Sequence, residues 1–163
     1  MMEKKIAFMV QAEDMEFYLV RPKFWKDEYG CRDLLTIERP SCPVHNVRLF
    51  GSPLDPHRTL YGTFAFSVAR IRPHIIHIEE EPDSLAALHA VYIRRFLWPQ
   101  SRLVLHTWQN INRPKKWHVR EVLKRTLNGC DVILCAHSEG LNVLREIGYG
   151  GRAECVMQEG IDT

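Results

Sequence analysis

Two clusters in this chain hold side chains able to do chemistry, Glu79-Glu80-Glu81 and Thr107-Trp108-Gln109-Asn110. Each closes an apolar, β-branched run, Ile75-Ile-His-Ile78 before the first and Leu103-Val-Leu-His106 before the second. A carboxylate at a strand end can accept hydrogen bonds from ligand hydroxyls. One held in a cleft can also stabilise positive charge that develops during a reaction. Side chains alternate along an extended chain, so Glu79 shares a face with His77 and Glu80 points to the other side. Glu81 is expected to cap the helix that follows. In the second cluster, an indole ring beside two amides suits a carbohydrate or polyol, which needs apolar stacking and paired hydrogen bonds. Neither Gln109 nor Asn110 can act as a general base, so this loop is read as binding rather than as moving protons.

Other chemistry-bearing residues are weaker. His74 and His77 stand three apart on an extended run and so face opposite sides. His106 and His137 close apolar runs with no Cys or carboxylate set at ligand spacing, so no metal site and no cofactor are expected. A basic segment from Arg113 to Arg125 follows the Trp loop. It reads mainly as a solvated helix face, supported by the Glu121–Arg125 pair. Within it, Lys115, Lys116 and Arg120 are the candidates for contact with an anionic membrane surface, each adding roughly 1 kcal/mol of attraction.

The elements that must position these residues follow from periodicity. Strands are expected at residues 15–20, 44–50, 74–78, 102–106, 131–136 and 153–157. Helices are expected over 57–71 with a stripe of Leu60, Phe64, Val68 and Ile71, and from about 82 with an apolar face of Leu85, Leu88, Tyr92 and Phe96. Two more are expected, one from Pro114 facing the core with Val119, Val122, Leu123 and Leu127, and one from an N-cap at Ser138 to Gly148. Residues 4–10 read either as a helix or as one strand of a hairpin with 15–20. From residue 44 the order is thus βαβαβαβαβ. Right-handed crossovers then give a doubly wound, mostly parallel sheet with helices on both faces, in which ligands sit at the carboxyl ends of the strands.

Composition sets the outer limits. The chain has 163 residues, 45% hydrophobic and 26% charged, which suits a single α/β domain spanning 1–163. A net charge of +2 gives no footprint for nucleic acid. No apolar run nears the roughly 20 residues needed to cross a bilayer. Five cysteines form no CxxC pair and suit reduced thiols in a cytoplasmic compartment.

These segments together resemble a known family. Residues 72–88, RPHIIHIEEEPDSLAAL, are similar to a segment of the family 4 glycosyltransferases of the GT-B architecture. So are 103–111, LVLHTWQNI, and 130–151, CDVILCAHSEGLNVLREIGYGG. Residues 155–163, CVMQEGIDT, resemble the family's exit toward its interdomain hinge, and 16–30 an early strand with a Pro-x-x-Trp exit. The resemblance covers nearly the whole chain. It implies a Rossmann-like N-terminal domain that binds the acceptor, a sugar or a lipid-linked sugar. Glu79, Glu80, Thr107, Trp108, Gln109 and Asn110 would form the acceptor site and Glu159 and Gly160 the hinge. A nucleotide-sugar would bind only through a missing or separate C-terminal domain, without which the chain is expected to be inactive. The family's first strand and its Gly-containing loop are expected to be missing, leaving the sheet incomplete at its N-terminus. Cytoplasmic placement at the inner face of the membrane accords with lipid-linked acceptors. The alternative is a non-catalytic module for a glycan or lipid head group, or a gene remnant.

Overall fold

A computed structural model of the chain describes residues 14–27, 30–33, 42–51 and 56–156. The expectations for residues 4–10 and for the hinge at Glu159 and Gly160 lie outside them. The described chain opens with β1 (Leu19–Pro22), which pairs in parallel with β4 (Val44–Val47). Between them β2 (Phe24–Asp27) and β3 (Gly30–Asp33) form an antiparallel ribbon. β5 (Leu49–Phe50) pairs antiparallel with β6 (Leu60–Tyr61), just after a 3₁₀ turn at Pro56–Arg58. The remaining elements alternate: α1 (Phe64–Ile71), β7 (Ile75–Glu79), α2 (Leu85–Leu97), β8 (Arg102–Thr107), α3 (Trp117–Gly129), β9 (Val132–Cys135), α4 (Ser138–Glu146) and β10 (Ala153–Cys155). This is an α/β chain with a four-stranded parallel sheet of order β10-β9-β8-β7, flanked by helices.

The sheet's packed side is set by register. Ile76 pairs with Leu103, Ile78 with Leu105, Leu105 with Ile133, and Thr107 with Cys135. Ile76, Ile78, Leu103, Leu105, Ile133 and Cys135 share one core with Ala87, Ala90 and Val91 of α2, Leu123 and Leu127 of α3, and Leu144 of α4. All three connecting helices therefore lie on one face. That follows from a strand order that advances in one direction, since crossovers of one hand keep their helices on one side. Helices on the second face, which a doubly wound sheet requires, are not among the described elements. Leu103, Leu105 and Ile133 are fully buried, and each contributes about 1.5–3 kcal/mol by leaving water.

Several expectations are corrected. The helix expected over 57–71 begins only at Phe64, because the backbone of Leu60 and Tyr61 pairs with β5 and the Gly62 N–H bonds to the Arg48 carbonyl. Arg72 ends that helix in the left-handed region at φ 54°, and Pro73 bars its continuation. α2 buries Ala86, Ala87, Ala90, Val91 and Ile93, not the stripe of Leu85, Leu88, Tyr92 and Phe96; Phe96 is 71% exposed. Small side chains let α2 lie close to the sheet and to α3. A Cβ placed on Gly129 would stand 2.2 Å from a Val91 methyl. Ser84 is the N-cap of α2, accepting from the Ala87 N–H at 3.0 Å, so Glu81 is not the cap. Ser138 is the first residue of α4, with His137 as N-cap. Gly148 takes φ +78° just past that helix, as a C-terminal glycine should.

Asp131 locks the amino edge of the sheet. Its carboxylate accepts from Arg94 on α2 at 3.0 Å, Arg102 on β8 at 2.9 Å and the Leu103 N–H at 2.8 Å. Burial alone would raise its pKa, but the Leu103 amide and the two guanidiniums outweigh burial and lower it. A lowered folded-state pKa gives stability that is present above the unfolded value and lost as pH falls through the folded one. Asp131→Asn should therefore cost about 1–3 kcal/mol in urea unfolding at neutral pH. The gap from the parent should close below the unfolded value of 3.8. A gap that stays constant with pH would show that the ion pairs contribute nothing.

Candidate functional site

β7 and β8 run in parallel, so both polar clusters emerge at the same edge. Glu79 lies across from His106 in the register, one residue before Thr107. Beyond β7 the chain turns through Glu80-Glu81-Pro82-Asp83, and three of its carboxylates find separate partners.

Glu80 accepts from the Tyr61 hydroxyl at 2.7 Å. Burial pushes the Glu80 carboxyl above the usual range, more than the Tyr61 bond holds it down, and the Glu81 charge adds to the rise. Burial, with Glu80 beside it, also pushes the Tyr61 phenol up, so Tyr61 is the donor at any ordinary pH. Glu81 reaches across to the next strand. One oxygen accepts from the Thr107 hydroxyl at 2.6 Å and the other from the Trp108 N–H at 3.0 Å. Thr107 Oγ1 in turn accepts from the Gln109 N–H at 3.1 Å. Asp83, 7% exposed, pairs with Lys115 Nζ at 3.0 Å, and Lys115 itself is only 11% exposed. His57 Nδ1 stands 3.2 Å from the other Asp83 oxygen.

The Trp108 ring is half-buried between two imidazoles. Its centroid lies 5.6 Å from His106 and 5.9 Å from His137, edge to face in both cases. Gln109 is half-buried and Asn110 exposed. The Gln109 carbonyl comes so near α4 that a Cβ on Gly140 would stand 3.1 Å from it. That contact fixes the loop from its far side.

Of the residues expected at an acceptor site, Glu80, Trp108, Gln109 and Asn110 stand at this edge. Thr107 is 2% exposed and committed to Glu81, so it shapes the loop from beneath. Glu79 turns to the second face of the sheet, where His77 Nε2 lies 3.7 Å from its carboxylate. His77, Glu79 and His106 place one donor atom each within 4.8 Å of one another, a set able to hold a metal ion. Sequence spacing misses this group because one member comes from the adjacent strand. No local signal marks Tyr61 or Asp83 as members of this edge, and Lys115, expected at a membrane surface, pairs with Asp83 instead. Lys115 is taken by Asp83 and so leaves the solvent-facing basic set, whereas Lys116 and Arg120 remain exposed. A groove of about 580 Å³ runs between α3 and the turn after α4, floored by Leu123, Leu127 and Ile147 and rimmed by Arg113, Arg120 and Lys124.

Cys135 at this edge and Cys130 at the other are held as protonated thiols. Burial pushes Cys135 up to about 11 and, near the opposite edge, Cys130 up to about 12. Neither is a thiolate nucleophile at neutral pH. Among the described residues no helix is long and apolar enough to cross a membrane.

A comparison with known proteins finds no matching family model and no match among curated proteins.

The Glu81 clamp makes a direct prediction. Glu81→Ala should cost about 1–3 kcal/mol, the range for orphaning buried partners. It should also speed amide exchange at Trp108 and Gln109 selectively. Unchanged exchange there would mean that the loop is held by other contacts.

Proposed function

We propose that this chain is the acceptor-side domain of a family 4-like glycosyltransferase of the GT-B architecture. The segments at residues 72–88 and 103–111 support the family. One observation supports the site. The carboxyl edge of two adjacent parallel strands presents Glu80 and a Trp108 loop held by the Glu81 carboxylate, where α/β sheets take their ligands. In this reading Trp108 stacks on an apolar sugar face, Gln109 and Asn110 bond its hydroxyls, and Glu80 accepts one further hydroxyl in place of Tyr61. The finer fold it carries is doubly wound, with helices on both faces of the sheet. Transfer from a nucleotide-sugar requires a donor-binding domain that closes the cleft and excludes water.

A non-catalytic glycan-binding role is favoured by a different observation. Glu81 is spent on the loop backbone and Thr107, and the exposed groups of the loop are amides. Nothing in the loop itself is placed to move a proton. Both readings share the same binding edge.

Calorimetric titration with a panel of mono- and disaccharides and with nucleotide-sugars separates them from a nucleotide binder. The expected result is sugar binding without nucleotide-sugar binding, weakened about tenfold by Trp108→Ala, the equivalent of about 1.4 kcal/mol. Tight binding of the nucleotide-sugar, indifferent to Trp108, would overturn the site. Because burial raises the Glu80 pKa, sugar affinity should rise with pH as that carboxyl ionises, and Glu80→Gln should flatten the profile.

Contact with an anionic membrane is part of the same proposal, carried by Lys116 and Arg120, since Lys115 is paired with Asp83. Sedimentation with anionic vesicles at low salt is the check. Lys116→Glu together with Arg120→Glu should abolish co-sedimentation. Equal sedimentation of parent and variant would exclude this surface.

A further inference from the structure

We propose that His77, Glu79 and His106 form a binding site for a divalent transition metal, with zinc the best-matched ion. The inference goes beyond the acceptor reading and does not depend on it.

The site arises from strand geometry alone. His77 and Glu79 are two residues apart on β7 and so project from the same face. His106 lies directly across from Glu79 on β8. Parallel pairing brings these two strands within about 4.8 Å. One donor atom from each side chain falls within 4.8 Å of the others, with His77 Nε2 and Glu79 Oε1 at 3.7 Å. Donors about 2.1 Å from a tetrahedral zinc stand about 3.4 Å apart. Closing from 4.8 Å to that spacing needs a shift of about 1.4 Å, which side-chain rotation at the two more exposed groups, His77 and Glu79, can supply.

The donor types fit the ion. Two imidazoles and one carboxylate are the ligands that borderline metals such as zinc prefer, rather than the all-oxygen sets of magnesium or calcium. The carboxylate supplies the negative charge that compensates the ion. The Trp108 ring packs edge-on against His106 with 5.6 Å between centroids, which limits the rotation of that buried imidazole. Three protein donors leave one position of a tetrahedral zinc open to water or to a ligand oxygen. His77 and Glu79 have side chains 25% and 31% exposed, so an ion can reach the site from solvent.

Cysteines could also bind zinc, and Cys155 lies across from Cys135 on the neighbouring strand, so the test must tell the two apart. The full chain, stripped with chelator, is titrated with Zn²⁺ by calorimetry and with Co²⁺ by absorption spectroscopy. The expected result is one ion per chain, with visible cobalt d–d bands and no thiolate-to-cobalt charge-transfer band. His77→Ala and Glu79→Gln should each weaken zinc binding by more than the roughly tenfold loss typical of an outer-shell partner. Cys155→Ser should leave it unchanged. Both altered side chains of the triad are solvent-accessible, so far-ultraviolet circular dichroism should be the same in all variants. The site is overturned by no saturable binding, by a thiolate band, or by parent-like affinity in both His77→Ala and Glu79→Gln.

Discussion

The parallel pairing of β7 with β8, registered so that Glu79 faces His106, is the constraint on which the rest of the molecule depends. It sends the chain out of both strands at one edge, so that two polar clusters separated in sequence by a helix, its flanking turns and most of β8 become neighbours. It also sorts side chains by parity. Ile76, Ile78, Leu103 and Leu105 meet the helices, while His77, Glu79 and His106 meet one another on the other face. A slip by one residue would exchange the two sets and bury a carboxylate in place of an isoleucine. The apolar core therefore enforces the same register that assembles both polar groups.

Acidic residues do different work at the two edges of the sheet. Asp131 binds two arginines and an amide at the amino edge and joins α2, β8 and the start of β9. That geometry favours the charged form and makes the edge rigid. At the carboxyl edge Glu81 serves a related purpose, but its bonds go to a hydroxyl and a backbone N–H of the loop it supports. Glu80, one residue earlier, is half-buried with a phenol donor, and its charge is disfavoured. A half-buried carboxyl with a raised pKa at the ligand edge of an α/β sheet is the kind of group that binding and catalysis draw upon. The neighbouring Asp83–Lys115 pair is closed off from solvent and holds the residues before α2 to those before α3.

Much of the fold was legible because alternation and helical periodicity are local. The apolar runs at 75–78, 103–106 and 132–135, bounded by turn residues and separated by helical patterns, read as parallel strands joined by crossover helices. The errors have local causes as well. The stripe Leu85, Leu88, Tyr92 and Phe96 has helical spacing, but spacing alone does not say which face meets the core. The helix instead turns its alanines inward, since close approach to the sheet and to Gly129 rewards small side chains. Leu60 fitted a helical stripe, yet its backbone had a strand partner in β5 that no periodicity could announce. Glu81 looked like a helix cap because it precedes Pro82. Ser84 takes that role and releases the carboxylate for the loop.

By itself the sequence determined that this is an α/β chain of alternating strands and helices, with its chemistry-bearing residues at strand ends and an indole flanked by amides among them. Those properties depend on residue type and on spacing within one segment. Tertiary structure alone decided which carboxylate faces what. Glu79 joins His77 and His106, Glu80 joins Tyr61, Glu81 joins Thr107 and Trp108, and Asp83 joins Lys115. Each of these sets includes a residue from another strand, loop or helix, brought in by strand register and helix packing. No pattern along a single segment encodes such a distance, because it is set by how much apolar surface the whole sheet and its helices can remove from water together.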